Sequence, residues 1–158
     1  MKIKSSGVDL PPEFSGPAQL ILFTRYGDPR DIGYKHKWIN HWEVKKDFPW
    51  FPLDELFVHK HFHPLLINAF SDLTLNGRFE EVKSAEDCFD IRLIRGSNSV
   101  LSVHSWGAAI DMNIIENPLG SAGSWSNEFV ATMIKNEIFC GQTWEGRKDP
   151  MHFAMVNG

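Results

Sequence analysis

Ser102-Val-His-Ser-Trp-Gly-Ala-Ala-Ile-Asp111 places a histidine, a glycine and a carboxylate in ten residues, and the chain returns to the same chemistry at Asp149-Pro-Met-His152-Phe. His104, Asp111 and His152 together offer two neutral imidazoles and one carboxylate. That is the ligand set of a catalytic zinc site whose fourth position is left to water. Asp149 is a spare carboxylate three residues before the last histidine, and such a site needs an acid to take a proton from its water.

The spacing also constrains the backbone. Ligand atoms lie about 2 Å from a zinc ion, so the His104 and Asp111 side chains must converge. On a straight helix their Cα atoms would stand roughly 10 Å apart. On a straight strand they would be over ~20 Å apart and on opposite faces. The chain must therefore bend between them, and Gly107 is the residue that tolerates such a bend. Asp149 and His152 share one side of a turn, which Pro150 stiffens by fixing one dihedral.

The rest of the chain sets the class. Its 158 residues suit one domain, with 42% hydrophobic and 23% charged residues, the values of a globular protein. A net charge of −4 with interspersed signs shows no basic stripe, so no nucleic-acid partner is expected. No apolar run approaches the ~20 residues of a membrane span. The N-terminal Met-Lys-Ile-Lys-Ser-Ser-Gly lacks a secretory signal, so synthesis in a cytoplasm is expected. Cys88 and Cys140 are too few for a disulfide framework.

Residues 1–16 read as an extended arm. A helix is expected from Pro17 to Tyr26, opened by the proline and stopped by Gly27-Asp28-Pro29. Loops with short strands are expected over 30–55, a strand over 57–62, and a helix from Pro64 ending at Asn76-Gly77. Phe89-Asp-Ile-Arg-Leu-Ile alternates like a strand, and 100–115 reads as a strand pair or a bent strand. Ser126 can cap a helix that turns Phe129, Val130, Met133 and Ile134 inward. A last strand begins at His152. Helices and strands without regular βαβ alternation make the fold class α+β.

Ser102-x-His-x-x-Gly-x-Ala-x-Asp111 is a strong signal, because five named residues at fixed spacing arise by chance in about one chain of this length in ten thousand. At these residues the chain resembles the zinc D-alanyl-D-alanine carboxypeptidase and L-alanyl-D-glutamate peptidase family, which cleaves cell-wall peptides and includes many phage endolysins. The resemblance covers residues 88–118 and 144–154, with a further likeness of Tyr26-Gly-Asp-Pro29 to the phage-type branch. It implies Zn2+ held by His104, Asp111 and His152, with Asp149 as catalytic base. It also implies an upstream arginine that stabilises developing charge, Arg92 with Arg95 in reserve, and Ser102 as a site-lining hydrogen-bonding residue. The implied fold is a small antiparallel sheet with flanking helices, shared with the Hedgehog signalling domain.

The implied function is hydrolysis of peptidoglycan peptide stems by a monomer, released through a holin or carried by a virion. The short Asp-x-x-His and the missing export signal favour an L-Ala–D-Glu endopeptidase over a D-Ala–D-Ala carboxypeptidase. A zinc-stabilised wall-binding protein without turnover is the contrasting reading from another class. Several more residues invite a chemical role. Glu145 competes with Asp149 as base, and His59, His61 and His63 would share one face of a strand as a second metal site. Ser105 would be a nucleophile, though no Gly-x-Ser-x-Gly elbow surrounds it. Trp144 would merely shape the edge of the core.

Overall fold

The computed structural model describes residues 4–5 and 8–158, with side chains from Leu10 onward. The parts of the expected arm at 1–3 and 6–7 lie outside the described residues. The remainder corrects that expectation. Strands β1 (Lys4–Ser5) and β2 (Val8–Asp9) pair antiparallel, and Pro12–Phe14 forms a 3-10 turn. Phe14 is buried against Phe23, with ring centroids 4.1 Å apart, and the Glu13 carbonyl accepts from the Leu101 N–H at 3.1 Å. Burying a phenylalanine stabilises by roughly 1.5–3 kcal/mol, enough to hold so short a segment on the body.

Helix α1 spans Pro17–Tyr26, with proline in its first turn and Gly27 closing it at φ 83°. Two short helices, α2 (Tyr34–Trp38) and α3 (Val44–Asp47), flank β3 (Ile39–Trp42), where loops with short strands were expected. Strand β4 stops at Leu56–His59, short of the expected Phe62, because the Phe62 N–H turns back to the His59 carbonyl at 2.9 Å. Strands β3 and β4 pair antiparallel. Helix α4 (His63–Asn76) ends at Gly77, whose φ of 78° is the left-handed conformation a helix stop favours.

Strand β5 (Ala85–Glu86), β6 (Ala109–Met112), α5 (Asn127–Lys135), β7 (Phe139–Cys140) and β8 (His152–Ala154) complete the chain. The four strands form one antiparallel sheet in the order β5-β6-β8-β7. Helices α4 and α5 cover it through a core that includes Phe70, Phe129 and Phe153. A second core of Phe14, Leu22, Trp106 and Val156 lies under α1. Small antiparallel sheets with flanking helices make this the α+β fold that the sequence led us to expect. Among the described residues no helix is long and apolar enough to cross a membrane.

Two local expectations fail for physical reasons. Residues 89–94 are not a strand, and only Leu93 and Leu101 form an isolated bridge. Their backbone groups are taken elsewhere: the Asp90 N–H donates to the His104 carbonyl, and the Ser102 N–H to the Arg92 carbonyl. Ile91, Leu93 and Ile94 are exposed, so the alternation does not mark a buried face. In α5, Ser126 caps as expected, its Oγ accepting from the Phe129 N–H, but Ile134 is 52% exposed. Thr132 turns inward instead and its Oγ1 accepts from Asn76 Nδ2 at 3.0 Å.

Gly107 makes the bend between the two halves of the Ser102–Asp111 string. Its φ is 72°, and a Cβ there would stand 2.7 Å from Ile39 Cδ1 and 3.0 Å from the His59 amide nitrogen. Backbone cannot give way as a side-chain tip can. Gly107→Ala is therefore expected to destabilise the fold by about 2–3 kcal/mol, from left-handed strain and that contact. The check is a lower denaturation midpoint at unchanged slope. A wild-type midpoint would refute it.

Candidate metal centre

The site is built where a turn meets the sheet. Ser102 opens a 3-10 helix over Val103–Trp106, its Oγ accepting from the His104 N–H at 3.2 Å, and Gly107 closes it. That turn sets His104, and the chain then enters β6 to bring up Asp111. In the β6–β8 register Asp111 lies directly opposite His152, so their side chains rise on the same face of the sheet.

His104 Nε2 stands 3.3 Å from Asp111 Oδ2, and His152 Nδ1 stands 3.4 Å from Asp111 Oδ1. All three residues are buried, and one ligand atom from each falls within 4.8 Å of the others. His104 Nε2 and Asp111 Oδ1 have no hydrogen-bond partner although both are buried. An unpartnered buried polar atom costs about 1–3 kcal/mol, so two of them in one cluster call for a shared partner. The remaining ring nitrogens are already committed. His104 Nδ1 donates to the Cys88 carbonyl at 3.2 Å, and His152 Nε2 donates to the Gly158 carbonyl at 2.7 Å. Each bond fixes a tautomer and turns a lone pair to the centre. The residues present thus fit one metal ion, and two imidazoles with one carboxylate suit zinc.

Electrostatics point the same way. Burial alone would raise the Asp111 carboxyl, but His104 and His152 outweigh it and hold the group well below the usual carboxylate range. Burial alone would lower His152, but Asp111 outweighs it and raises the imidazole above its ordinary value. In the metal-free chain the His152 contribution is complete below pH ~6.5 and is lost as pH rises through its raised folded value. Asp111 acts oppositely: its contribution is complete above pH ~3.9 and is lost as pH falls through its lowered folded value.

Asp149 lies beside this centre in the same cleft, of about 270 Å³. Burial raises its carboxyl, with the His152 charge opposing and the Asp111 charge adding to the rise. Its Oδ1 is buried and unpartnered. The His152 N–H donates to the Asp149 carbonyl at 3.0 Å, which closes the expected turn, and Trp125 Nε1 donates to the Pro150 carbonyl at 2.8 Å. Gly141 was missed by sequence reasoning. A Cβ there would overlap the Asp149 carbonyl, so only glycine admits this close approach.

Arg92 lines the cleft, with Nη2 3.5 Å from Asp111 Oδ2 and Nε 3.2 Å from Asp90 Oδ2. Ser105 is buried beneath it: its Oγ accepts from the Arg92 N–H at 3.1 Å and donates to the Arg92 carbonyl at 3.0 Å. Its hydroxyl is thus engaged in holding the Arg92 backbone, not placed as a nucleophile. Arg95, Ser102 and Trp144 share the cleft wall, as do Gln19, Leu119 and Arg147, which carried no motif to mark them.

Glu145 and the three closely spaced histidines stand apart from this centre. Glu145 is exposed and not part of the cleft lining. His59, His61 and His63 do not share a strand face, because β4 ends at His59. His59 is buried beside Tyr26 and Trp38, and burial pushes its pKa down to about 3. His61 Nδ1 pairs with the Tyr26 hydroxyl at 2.8 Å, and His63 Nδ1 with Asn40 Nδ2 at 3.1 Å. Cys88 and Cys140 are both free and buried.

Fold and site together define a class: an α+β protein whose sheet holds a buried His-Asp-His centre, open to a cleft with a spare carboxylate. A family model described as D-alanyl-D-alanine carboxypeptidase matches residues 95–155. That stretch contains Ser102, His104, Asp111, Asp149 and His152 and begins after Arg92. The match supports that peptidase family, and with it a hydrolase. No curated protein and no solved structure matches the chain.

Proposed function

We propose that the chain is a zinc-dependent peptidase that hydrolyses the peptide stem of bacterial peptidoglycan, cutting after L-Ala and serving as a phage or prophage lysis enzyme. The observation that carries this reading is the convergence of His104, Asp111, His152 and Asp149 on one cleft inside the matched segment. A merely binding protein has no use for a half-buried spare acid beside an open metal position. His104 Nε2, Asp111 and His152 Nδ1 would hold the zinc, which when bound polarises the scissile carbonyl and brings the pKa of the attacking water toward ~7.

Asp149 takes the proton of the attacking water at a carboxylate oxygen and then delivers it to the leaving amine nitrogen. Its raised pKa suits that exchange better than an ordinary aspartate would. Arg92, its backbone clamped by Ser105, presents a guanidinium to the oxyanion as charge develops. Ser102 keeps the His104 turn in shape.

The second reading, removal of a terminal D-Ala, is favoured by the description of the matching family. The two readings ask different things of Arg92. A carboxypeptidase needs a cation to hold a free terminal carboxylate, whereas an endopeptidase needs it only at an internal carbonyl. Stem peptides with an amidated C-terminus are therefore expected to be cut after L-Ala, with Arg92→Ala raising the barrier by roughly 2–4 kcal/mol. Mass spectrometry of digested muropeptides identifies the bond. Free D-Ala as the sole small product, with strict need for its carboxylate, would overturn the endopeptidase reading and leave the metal centre intact.

A further inference from the structure

The two histidines of the centre are held by contacts that lie outside both the ligand string and the matched stretch. Every ligand histidine needs its second nitrogen held, or the ring can turn its N–H toward the metal. For His104 the holder is Cys88, within the loop that leads into the site. For His152 it is the carbonyl of Gly158, six residues further along and beyond the matched stretch of 95–155.

The segment after β8 is shaped for this. The Met155 N–H donates to the Ala108 carbonyl at 3.0 Å, and Val156 is buried with Phe14, Ala18 and Leu22 under α1. The chain then turns back so that Gly158 lines the cleft and meets His152 Nε2 at 2.7 Å. Glycine is required by the approach and not by a left-handed backbone: a Cβ on Gly158 would overlap the Cβ of Ala18 on α1. Helix α1 also contributes Gln19 to the cleft wall, and its Nε2 donates to the Leu101 carbonyl at 2.9 Å. The first helix and the last residues of the sequence are thus packed together on the outer side of the third ligand.

We infer that Gly158 is a positioning residue of the metal centre: with its Cα seated against Ala18 of α1, its backbone oxygen holds His152 in the tautomer that offers Nδ1 to the metal. This rests on the reading of His104, Asp111 and His152 as ligands. It makes metal affinity depend on helix α1, which contributes no ligand.

The test uses zinc itself, with affinity measured by chelator competition on the full chain. Gly158→Ala is expected to weaken zinc binding by about 10–100-fold, the usual loss when such a supporting contact is disturbed. Ala18→Gly in the same chain removes the opposing methyl and is expected to restore affinity to within a few-fold, while Ala18→Gly alone binds as wild type. Proton NMR of the zinc-loaded protein supplies a readout that a purely structural role would not move. The His152 Nε2–H should exchange slowly in wild type and in the double variant, and rapidly in Gly158→Ala. Wild-type zinc affinity in Gly158→Ala, or a loss that Ala18→Gly does not reverse, would overturn the inference. A wild-type chain that binds no zinc would instead overturn the ligand reading beneath it.

Discussion

His104→Ala, Asp111→Ala and His152→Ala are each expected to lose bound zinc and with it all measurable peptide hydrolysis. The reason is geometric: the three donor atoms lie within 4.8 Å of one another, and removing one leaves the ion only two of its three protein ligands. A chelator should abolish activity in the wild type and stoichiometric zinc should restore it. Stability should fall as well, because a ligand bound only by the native state adds about 2.7 kcal/mol at a hundred times its dissociation constant. The three variants should differ once metal is removed. Asp111→Ala leaves His152 buried without its counter-charge, whereas His104→Ala leaves the Asp111–His152 pair in place. Without metal, Asp111→Ala should therefore melt lowest near neutral pH. Full activity in a verified metal-free sample would end the metalloenzyme reading.

Asp149→Asn is expected to keep zinc and fold while losing about a hundredfold or more in turnover. The amide preserves shape but cannot accept the proton, and general acid–base groups contribute typically 10²–10⁴-fold. A hundredfold loss is about 2.7 kcal/mol of barrier. The structure sharpens the contrast with Glu145, which is exposed and not part of the cleft lining, so Glu145→Gln should turn over as wild type. Metal content measured beside rate separates loss of the base from loss of the site. An active Asp149→Asn with an inactive Glu145→Gln would reverse the assignment.

Read from the sequence alone, the chain is α+β, with helices opened by Pro17 and Ser126 and one stopped at Gly77. These are local facts, set by a proline's fixed dihedral, a hydroxyl that caps a backbone N–H, and a glycine that adopts positive φ. That the string from Ser102 to Asp111 and the pair Asp149 and His152 would come together was legible for a related reason: metal chemistry admits few residue types, and their spacing is rare by chance. The alternation at 89–94 misled because period two reports a strand only when one face is buried, and here the backbone bonds went to the His104 turn. Ile134 misled because helical spacing cannot say how far the sheet extends beneath the last turn.

Only the tertiary structure could decide what faces the centre. The β6–β8 register brings Asp111 opposite His152 across the intervening α5 and β7, and the backbone around Gly141 fits against Asp149 because no Cβ intervenes. Ser105 becomes the clamp on Arg92, and Gly158 the partner of His152, through hydrogen bonds whose two ends carry no spacing rule. The candidate ligands are distinguished by side-chain chemistry, which shows in the sequence. The groups that hold those side chains are backbone oxygens and missing methyls, which every residue or any glycine supplies, so their roles exist only once the chain has folded.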